Sequence, residues 1–208
     1  MALSDLYTNV LFLLRWMHVF FGIIWIGHLY FFNFVNVPLQ GAMDDATKKL
    51  VNPKLIPRAL WWFRWGAMMT FILGWILFTL IYMYTPGAGF GPSALFSTPE
   101  GISARAIWIL FGMTLGSIMW FNVWFIIWPA QKAMLQGKVA AENLPAVRKR
   151  ALLASRINTF LSAPLLFAML APHAYGAVNP LTILVVIVIG TATIWHLIKF
   201  SPKVGTGV

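Results

Sequence analysis

The sequence predicts an all-α integral membrane protein, with five transmembrane helices in one bundle, the N-terminus outside and the C-terminus cytoplasmic. Three observations carry this prediction. The 208 residues are 60% apolar and only 10% charged, against about 25% charged in an ordinary soluble domain. Four windows, residues 16–43, 65–99, 106–131 and 157–198, contain no Asp, Glu, Lys or Arg, and about 20 apolar residues suffice to cross a bilayer core. Basic residues also fall in alternate connections. Lys48, Lys49, Lys54, Arg58 and Arg64 cluster at the first loop, and Lys132, Lys138, Arg148, Lys149, Arg150 and Arg156 at the third. Lys199 and Lys203 end the chain, while the second and fourth loops hold little beyond Arg105. This is the positive-inside pattern, and it sets the basic loops against anionic headgroups.

The first span is expected over residues 6–36, long enough to tilt or protrude. The opening Met1-Ala2-Leu3-Ser4-Asp5 lacks the basic region of a signal peptide, and the span exceeds a signal's apolar stretch, so the helix is expected to be retained. Loop one, 37–57, places Asp44-Asp45 at a helix start and ends in a proline-rich stretch. Span two covers 59–84. Loop two opens Pro86-Gly87-Ala88-Gly89-Phe90-Gly91-Pro92 and should be irregular. Span three covers 102–128 and stops at Pro129, followed by a basic amphipathic piece over 131–150, helical in part. The last window is broken by Pro172-His173-Ala174-Tyr175-Gly176 and by Asn179-Pro180. It therefore divides into spans 152–171, with a kink expected at Pro164, and 181–200. No internal repeat is evident, and a single transmembrane domain, 1–208, is expected to account for the chain.

Several function classes are excluded. Cysteine is absent, which removes disulfides, iron–sulfur ligation, covalent haem attachment and thiolate catalysis. The net charge of +10 follows membrane topology rather than a continuous basic face, so no nucleic-acid partner is expected. Trp16, Trp61, Trp62, Trp65, Trp108, Trp128 and Trp195 lie near span ends, where an interfacial aromatic belt forms. Trp25 and Trp120 lie deeper, where they could pack on a planar cofactor.

The four histidines, His18, His28, His173 and His196, all lie in or against the apolar windows. A coordinating side chain in hydrocarbon is costly and needs a partner or a metal. Ten residues along a helix give about 15 Å of rise and roughly 80° of rotation, so His18 and His28 face one side of the bundle at two depths. Depth pairs His28 with His196 toward the inner side and, with an offset of roughly 10 Å, His18 with His173 toward the outer. Paired imidazoles in an apolar pocket suit a haem iron and one-electron transfer. All four are thus candidate metal ligands for one or two haem b groups. Haem needs room, which Gly22, Gly27, Gly66, Gly74 and the Gly112-x-x-x-Gly116 step could supply, though such glycines also serve close helix packing. It needs propionate partners, for which Arg15, Arg58 and Arg64 are candidates, though snorkelling to headgroups explains them equally. The competing reading of the histidines is a set of interhelical hydrogen bonds or a proton relay, but no Asp, Glu or Lys lies mid-span to relay with. Gln131, Asn122 and Asn158 read as interhelical hydrogen-bond donors.

Four stretches carry a family resemblance. His18-Val-Phe-Phe-Gly-Ile-Ile-Trp-Ile-Gly27 with Tyr30-Phe-Phe-Asn-Phe34, Ala59-Leu-Trp-Trp-Phe-Arg-Trp-Gly66, Asn122-Val-Trp-Phe-Ile-Ile-Trp-Pro-Ala-Gln-Lys132 and Ala154-Ser-Arg-Ile-Asn-Thr-Phe-Leu-Ser162 resemble the N-terminal membrane domain of bacterial membrane-bound urate oxidases. They touch four of the five spans in order. The first-helix motif is also similar to that of membrane-type protoporphyrinogen oxidases. The resemblance implies a motif histidine at His18 and a further one at His173. At His28 it implies a small residue, so a second haem would be particular to this chain. The resemblance also implies a longer membrane region and a C-terminal cytochrome c domain with a C-x-x-C-H motif; this sequence has no cysteine, so the urate activity is expected to transfer poorly.

Three functions are therefore carried forward, all in a bacterial inner membrane. One is a b-type haem protein for electron transfer, as a subunit of a respiratory or oxidase complex. Another is a stand-alone urate oxidase-like oxidoreductase using an external cytochrome c. The last is a cofactor-free accessory or assembly subunit. Expected partners are the lipid bilayer and partner membrane subunits or a cytochrome c. No catalytic residue stands out, because only five acidic residues exist and all lie in loops or at the termini.

Overall fold

A computed structural model describes residues 5–92, 95 and 101–205. Among them five helical segments are long and apolar enough to cross a membrane: Leu6–Ala42, Asp45–Tyr82, Ala104–Leu135, Ala141–His173 and Pro180–Lys203. The count and order are those the sequence predicts. Their outward faces are apolar, with Ile23 68% and Leu153 58% exposed, a surface suited to lipid rather than water.

The spans are longer than expected because the loops are largely helical. Helix α1 (Leu6–Tyr30) passes through a π-helical turn, Phe31–Asn36, into α2 (Val37–Ala42), and α3 then runs from Asp45 to Tyr82. The loop expected over 37–57 shrinks to Met43 and Asp44. Asp44 starts α3 as the sequence predicts. Its carboxylate accepts the Thr47 N–H at 2.7 Å, and the Thr47 amide and hydroxyl hold that carboxyl below its ordinary pKa. The amides of Gln40 and Asn52 close the turn by pairing reciprocally at 2.7 and 3.0 Å. Pro53 and Pro57 lie inside α3. A proline cannot donate to the carbonyl four residues back. Standing four apart, the two lose their bonds along a single strip of the helix, which burial of Ile56 and Leu60 then holds in place.

The second half repeats this plan. Helix α4 (Ala104–Phe121) passes through a second π turn, Asn122–Ile127, into α5 (Trp128–Leu135). After residues 136–140 and a 3₁₀ turn, α6 (Leu144–Leu170) runs on through Pro164, and α7 (Pro180–Phe200) follows. The glycine-rich connection is less irregular than expected: Tyr84–Thr85 pairs antiparallel with Gly89–Phe90. Gly87 and Gly89 turn it with φ of 85° and 87°, a region that side chains disfavour.

Both π turns stand just before a proline, Pro38 and Pro129. Pro38 orphans the Phe34 carbonyl, which instead accepts the Ser201 hydroxyl at 2.6 Å. The end of α7 is thereby tied back to the end of the first span.

The hairpins α1–α3 and α4–α6 correspond, which corrects the expectation of no internal repeat. Arg15, Phe21-Gly22, Phe32-Asn33 and Pro38-x-Gln40-x-Ala42-Met43 match Arg105, Phe111-Gly112, Phe121-Asn122 and Pro129-x-Gln131-x-Ala133-Met134. In the returning helices Arg58-Ala59-Leu60, Arg64 and Thr70-Phe71 match Arg150-Ala151-Leu152, Arg156 and Thr159-Phe160. Spacings between the matched pieces drift by one to three residues, which hides the repeat from a search at fixed period. The shared π turn before a proline exposes it.

Contacts between the hairpins obey the same correspondence. α1 meets α6 where the Tyr30 and Ser162 hydroxyls bond at 2.9 Å and Asn33 donates to the Ser155 hydroxyl at 2.8 Å. α3 meets α4 where Phe71 stacks on Trp120 at 4.3 Å and Trp65 meets Trp124 edge-on at 5.6 Å. Within the second hairpin Asn158 accepts from Asn122 at 2.8 Å and donates to the Met119 carbonyl at 2.9 Å. Asn122 and Asn158 thus fill the interhelical role the sequence predicts, whereas Gln131 makes no such bond among the described residues. α7 lies outside this four-helix set, crossing α6 where a Cβ on Gly190 would stand 3.0 Å from the Ala163 Cβ.

Candidate functional site

The ties Tyr30–Ser162, Asn33–Ser155 and Asn122–Asn158 lie in one half of the bundle, and at the other end the Tyr7 hydroxyl donates to the Leu80 carbonyl at 2.6 Å. Toward the other end the hairpins part, leaving a cavity of about 470 Å³ lined by α1, α3, α4 and α6. That volume falls in the ordinary range for a multi-ring ligand, about 300–1,000 Å³. Five glycines, Gly22, Gly27, Gly74, Gly112 and Gly116, line it. Val19 and Ile23 of α1 and Leu166 and Leu170 of α6 line it and are also exposed, so it opens sideways between those helices, at membrane depth. Its polar side chains are His18, Thr70 and Ser117, together with the indoles of Trp25 and Trp75.

His18 is the one imidazole in this lining. It is carried by α1 and rests against α3, where a Cβ on Gly74 would come 3.1 Å from its Cε1 and 3.5 Å from its Nδ1. Nδ1 is buried with no hydrogen-bond partner, although the Thr70 carbonyl stands beside the ring. With the Nδ1–Cε1 edge turned to the α3 backbone, Nε2 is the nitrogen left for a ligand. The buried indole N–H of Trp25 is also unpartnered. Thr70 is committed elsewhere, its hydroxyl donating to the Gly66 carbonyl at 2.7 Å.

The other expected histidines are not brought here. His28 is half-buried one turn from Ile24, and its Nδ1 is 2.7 Å from that residue's carbonyl. His173 ends a short turn three residues beyond the cavity-lining Leu170 and is exposed. His196 is exposed on α7, stacked over Phe200 at 6.1 Å in a shallow depression with Phe160 and Trp195. Depth along the spans predicts the pairs His28–His196 and His18–His173. Of these four only His18 lines the cavity; His173 lies past the end of α6 and His196 on α7. Among the described residues no three His, Asp or Glu side chains converge.

The arginines divide similarly. Arg64 does not line the cavity; its guanidinium lies 3.8 Å from the Trp128 ring centroid, clamping α3 to α5. Arg58 turns back to its own helix, donating to the Lys54 carbonyl. Arg15 stands three residues before His18, and the Tyr82 hydroxyl has both Arg105 and Arg15 for charged neighbours. The duplication signals Arg105, which the loop pattern alone leaves as an exception, since it occupies the position of Arg15 in the second hairpin.

The tryptophans fall on both sides of expectation. Trp16, Trp61, Trp62, Trp65 and Trp195 are exposed as a belt requires, but Trp108 is fully buried. It takes the place of His18 in the second hairpin and packs against Phe167 and Tyr175. Trp25 lines the cavity, and Trp120 backs its wall by stacking on Phe71.

A slot of this composition suits a flat, largely apolar ring system held through one imidazole nitrogen. The residues that a haem b would need are an imidazole, here His18, bare backbone, here at Gly74 and Gly112, and cations, here Arg15 and Arg105. A polar purine would find few hydrogen-bond partners within it.

A family model described as urate oxidase N-terminal matches residues 4–90 and 92–204. No curated protein and no solved structure gives a match.

Proposed function

From the premise that the chain belongs to the urate oxidase N-terminal family, we propose that it is a b-type haem membrane protein for electron transfer, built to work with a partner. The observation that carries this reading is His18, the one imidazole of a glycine-lined apolar cavity, whose Nδ1–Cε1 edge rests on the α3 backbone and leaves Nε2 for a ligand. When bound, a haem b would supply reversible one-electron chemistry between a partner oxidase subunit as donor and a c-type cytochrome as acceptor. The chain's own residues do the rest. His18 would hold the iron through Nε2, and the Thr70 carbonyl beside the ring would fix its tautomer, as backbone acceptors do for metal-bound imidazoles. Gly22, Gly74, Gly112 and Gly116 leave a flat space. Arg15 and Arg105 offer charge for propionates, in place of the Arg64 the sequence favours. Phe71 and Trp25 exclude water. The basic loops support an orientation in a bacterial inner membrane with the N-terminus outside and the C-terminus cytoplasmic.

A reduced-minus-oxidised spectrum of the purified protein, with a haem-to-protein ratio, tests the reading. The expected result is b-type Soret and alpha bands at one haem per chain, lost in His18→Ala. A colourless preparation overturns it and leaves the accessory-subunit reading.

Family membership favours one further reading, a stand-alone urate oxidase-like oxidoreductase using an external cytochrome c. Reduction of the haem band on adding urate would establish it. The apolar lining of the cavity argues for a substrate site elsewhere.

A further inference from the structure

With His28, His173 and His196 outside the cavity, a haem held by His18 lacks an imidazole on its second face. The remaining lining side chains with a donor atom are few. The Thr70 hydroxyl is spent on the Gly66 carbonyl. The Trp25 and Trp75 indoles can only donate. Ser117 offers a neutral hydroxyl, a poor iron ligand. What remains are the thioethers of Met113 and Met169, soft sulfur atoms of a kind that binds haem iron opposite histidine.

The two are not equally placed. Met169 extends from α6 across the face of α4. A Cβ on Gly112 would run into its Cε and stand 3.7 Å from its Sδ. Gly112 is therefore a notch that admits the Met169 thioether to the slot, as Gly74 is a notch that admits the His18 ring. The notches lie on α3 and α4, and the side chains they admit come from α1 and α6, one from each hairpin. Met113 has no corresponding notch.

We propose that Met169 supplies the second axial ligand, giving a His18–Met169 pair across the interface between the duplicated hairpins. The proposal rests on the haem reading of the cavity. Thioether ligation favours the ferrous state and raises the reduction potential relative to a bis-imidazole site, which would set this protein to accept electrons readily.

The test uses the purified full-length protein in its ferric form. The expected result is the weak near-infrared charge-transfer band of thioether-bound ferric haem, lost in Met169→Leu and kept in Met113→Leu. Both variants should retain the haem-to-protein ratio of the parent. Met169→Leu should also lower the midpoint potential and open the iron to carbon monoxide in the ferrous state. Should the parent bind haem through His18 yet lack that band, or should Met113→Leu be the change that removes it, the ligand assignment falls and the haem reading stands. Should no haem be present, both fall together.

Discussion

The His18 ring of α1 lies against Gly74 of α3, so close that a Cβ at 74 would stand 3.1 Å from His18 Cε1. A bare backbone at that point sets the orientation of the one imidazole in the cavity. Gly74→Ala forces the ring to give by a few tenths of an ångström and should shift the haem spectrum while keeping most of the pigment. Gly74→Leu fills the ring's own place and should abolish haem retention. Gly27→Ala is the control: it lines the same cavity, yet nothing lies within 4 Å of its added Cβ, and it should match the parent. The ratio of Soret to protein absorbance reads all three.

The histidines give a second prediction. If His18 is the one histidine that holds the cofactor, His173→Ala and His196→Ala leave the spectrum unchanged, since both are exposed and away from the lining. His28→Ala removes only a bond within its own helix and should leave the haem-to-protein ratio at that of the parent. A variant at any of these three that removes a distinct spectral component would restore the two-haem arrangement.

Much of the fold is legible in the sequence because charge and hydropathy report membrane crossings directly. The five spans and the Asp44 cap follow from patterns that need no partner. What stays hidden depends on neighbours. Pro53 and Pro57 read as a loop until their shared strip inside α3 is seen. Trp108 reads as a belt residue until its burial against Phe167 places it inside. Depth along a span pairs histidines by height, but height says nothing of direction around a helix or of which helix stands outside. His196, paired with His28 by expected height, stands exposed on α7 beside Phe160 and Trp195. Met169 and Arg105 carry no signal alone; the duplication and the Gly112 notch single them out.

A third prediction concerns the α1–α3 contact that seats His18. A Cβ on Gly66 would meet Ile24 Cγ2 and the Trp25 backbone nitrogen, both at 3.0 Å. Backbone cannot step aside as a side chain can, so Gly66→Ala should cost about 1–3 kcal/mol, the usual range for overpacking. Gly22→Ala meets only Thr70 Cγ2 at 3.9 Å, ordinary contact, and should be neutral. Thermal unfolding in detergent separates them: a midpoint for Gly66→Ala equal to that of Gly22→Ala would mean the helices can part at no cost.

A fourth follows from the buried amides of the second hairpin. Asn158→Leu removes the bond to the Met119 carbonyl and leaves the Asn122 amide without its acceptor. Interhelical bonds in membranes are worth about 0.6 kcal/mol on average and up to about 1.7, so two losses should destabilise by about 1–3 kcal/mol. Replacing both residues by Leu in one chain should recover part of that loss, because no buried amide is then left unpaired. An additive double variant would show that the two do not act as a pair.

The last prediction separates the arginines by role. Arg64 stacks on Trp128 at 3.8 Å, far along α3 from Gly74, so its loss should weaken the α3–α5 clamp and spare the cofactor. A partly desolvated cation–π contact is worth roughly 1–2 kcal/mol, and Arg64→Gln should lower stability by about that much with the haem-to-protein ratio unchanged. Arg105 stands with Arg15 around Tyr82 at the end where the first span begins. Removing a cation beside a propionate weakens haem retention and favours the oxidised state, so Arg105→Gln should lower both occupancy and midpoint potential with little change in unfolding. A paired measurement of redox potential and thermal midpoint decides the matter. If Arg64→Gln moves the potential and Arg105→Gln does not, the propionates point toward the Asn33 half of the bundle and the haem sits the other way round in its cavity.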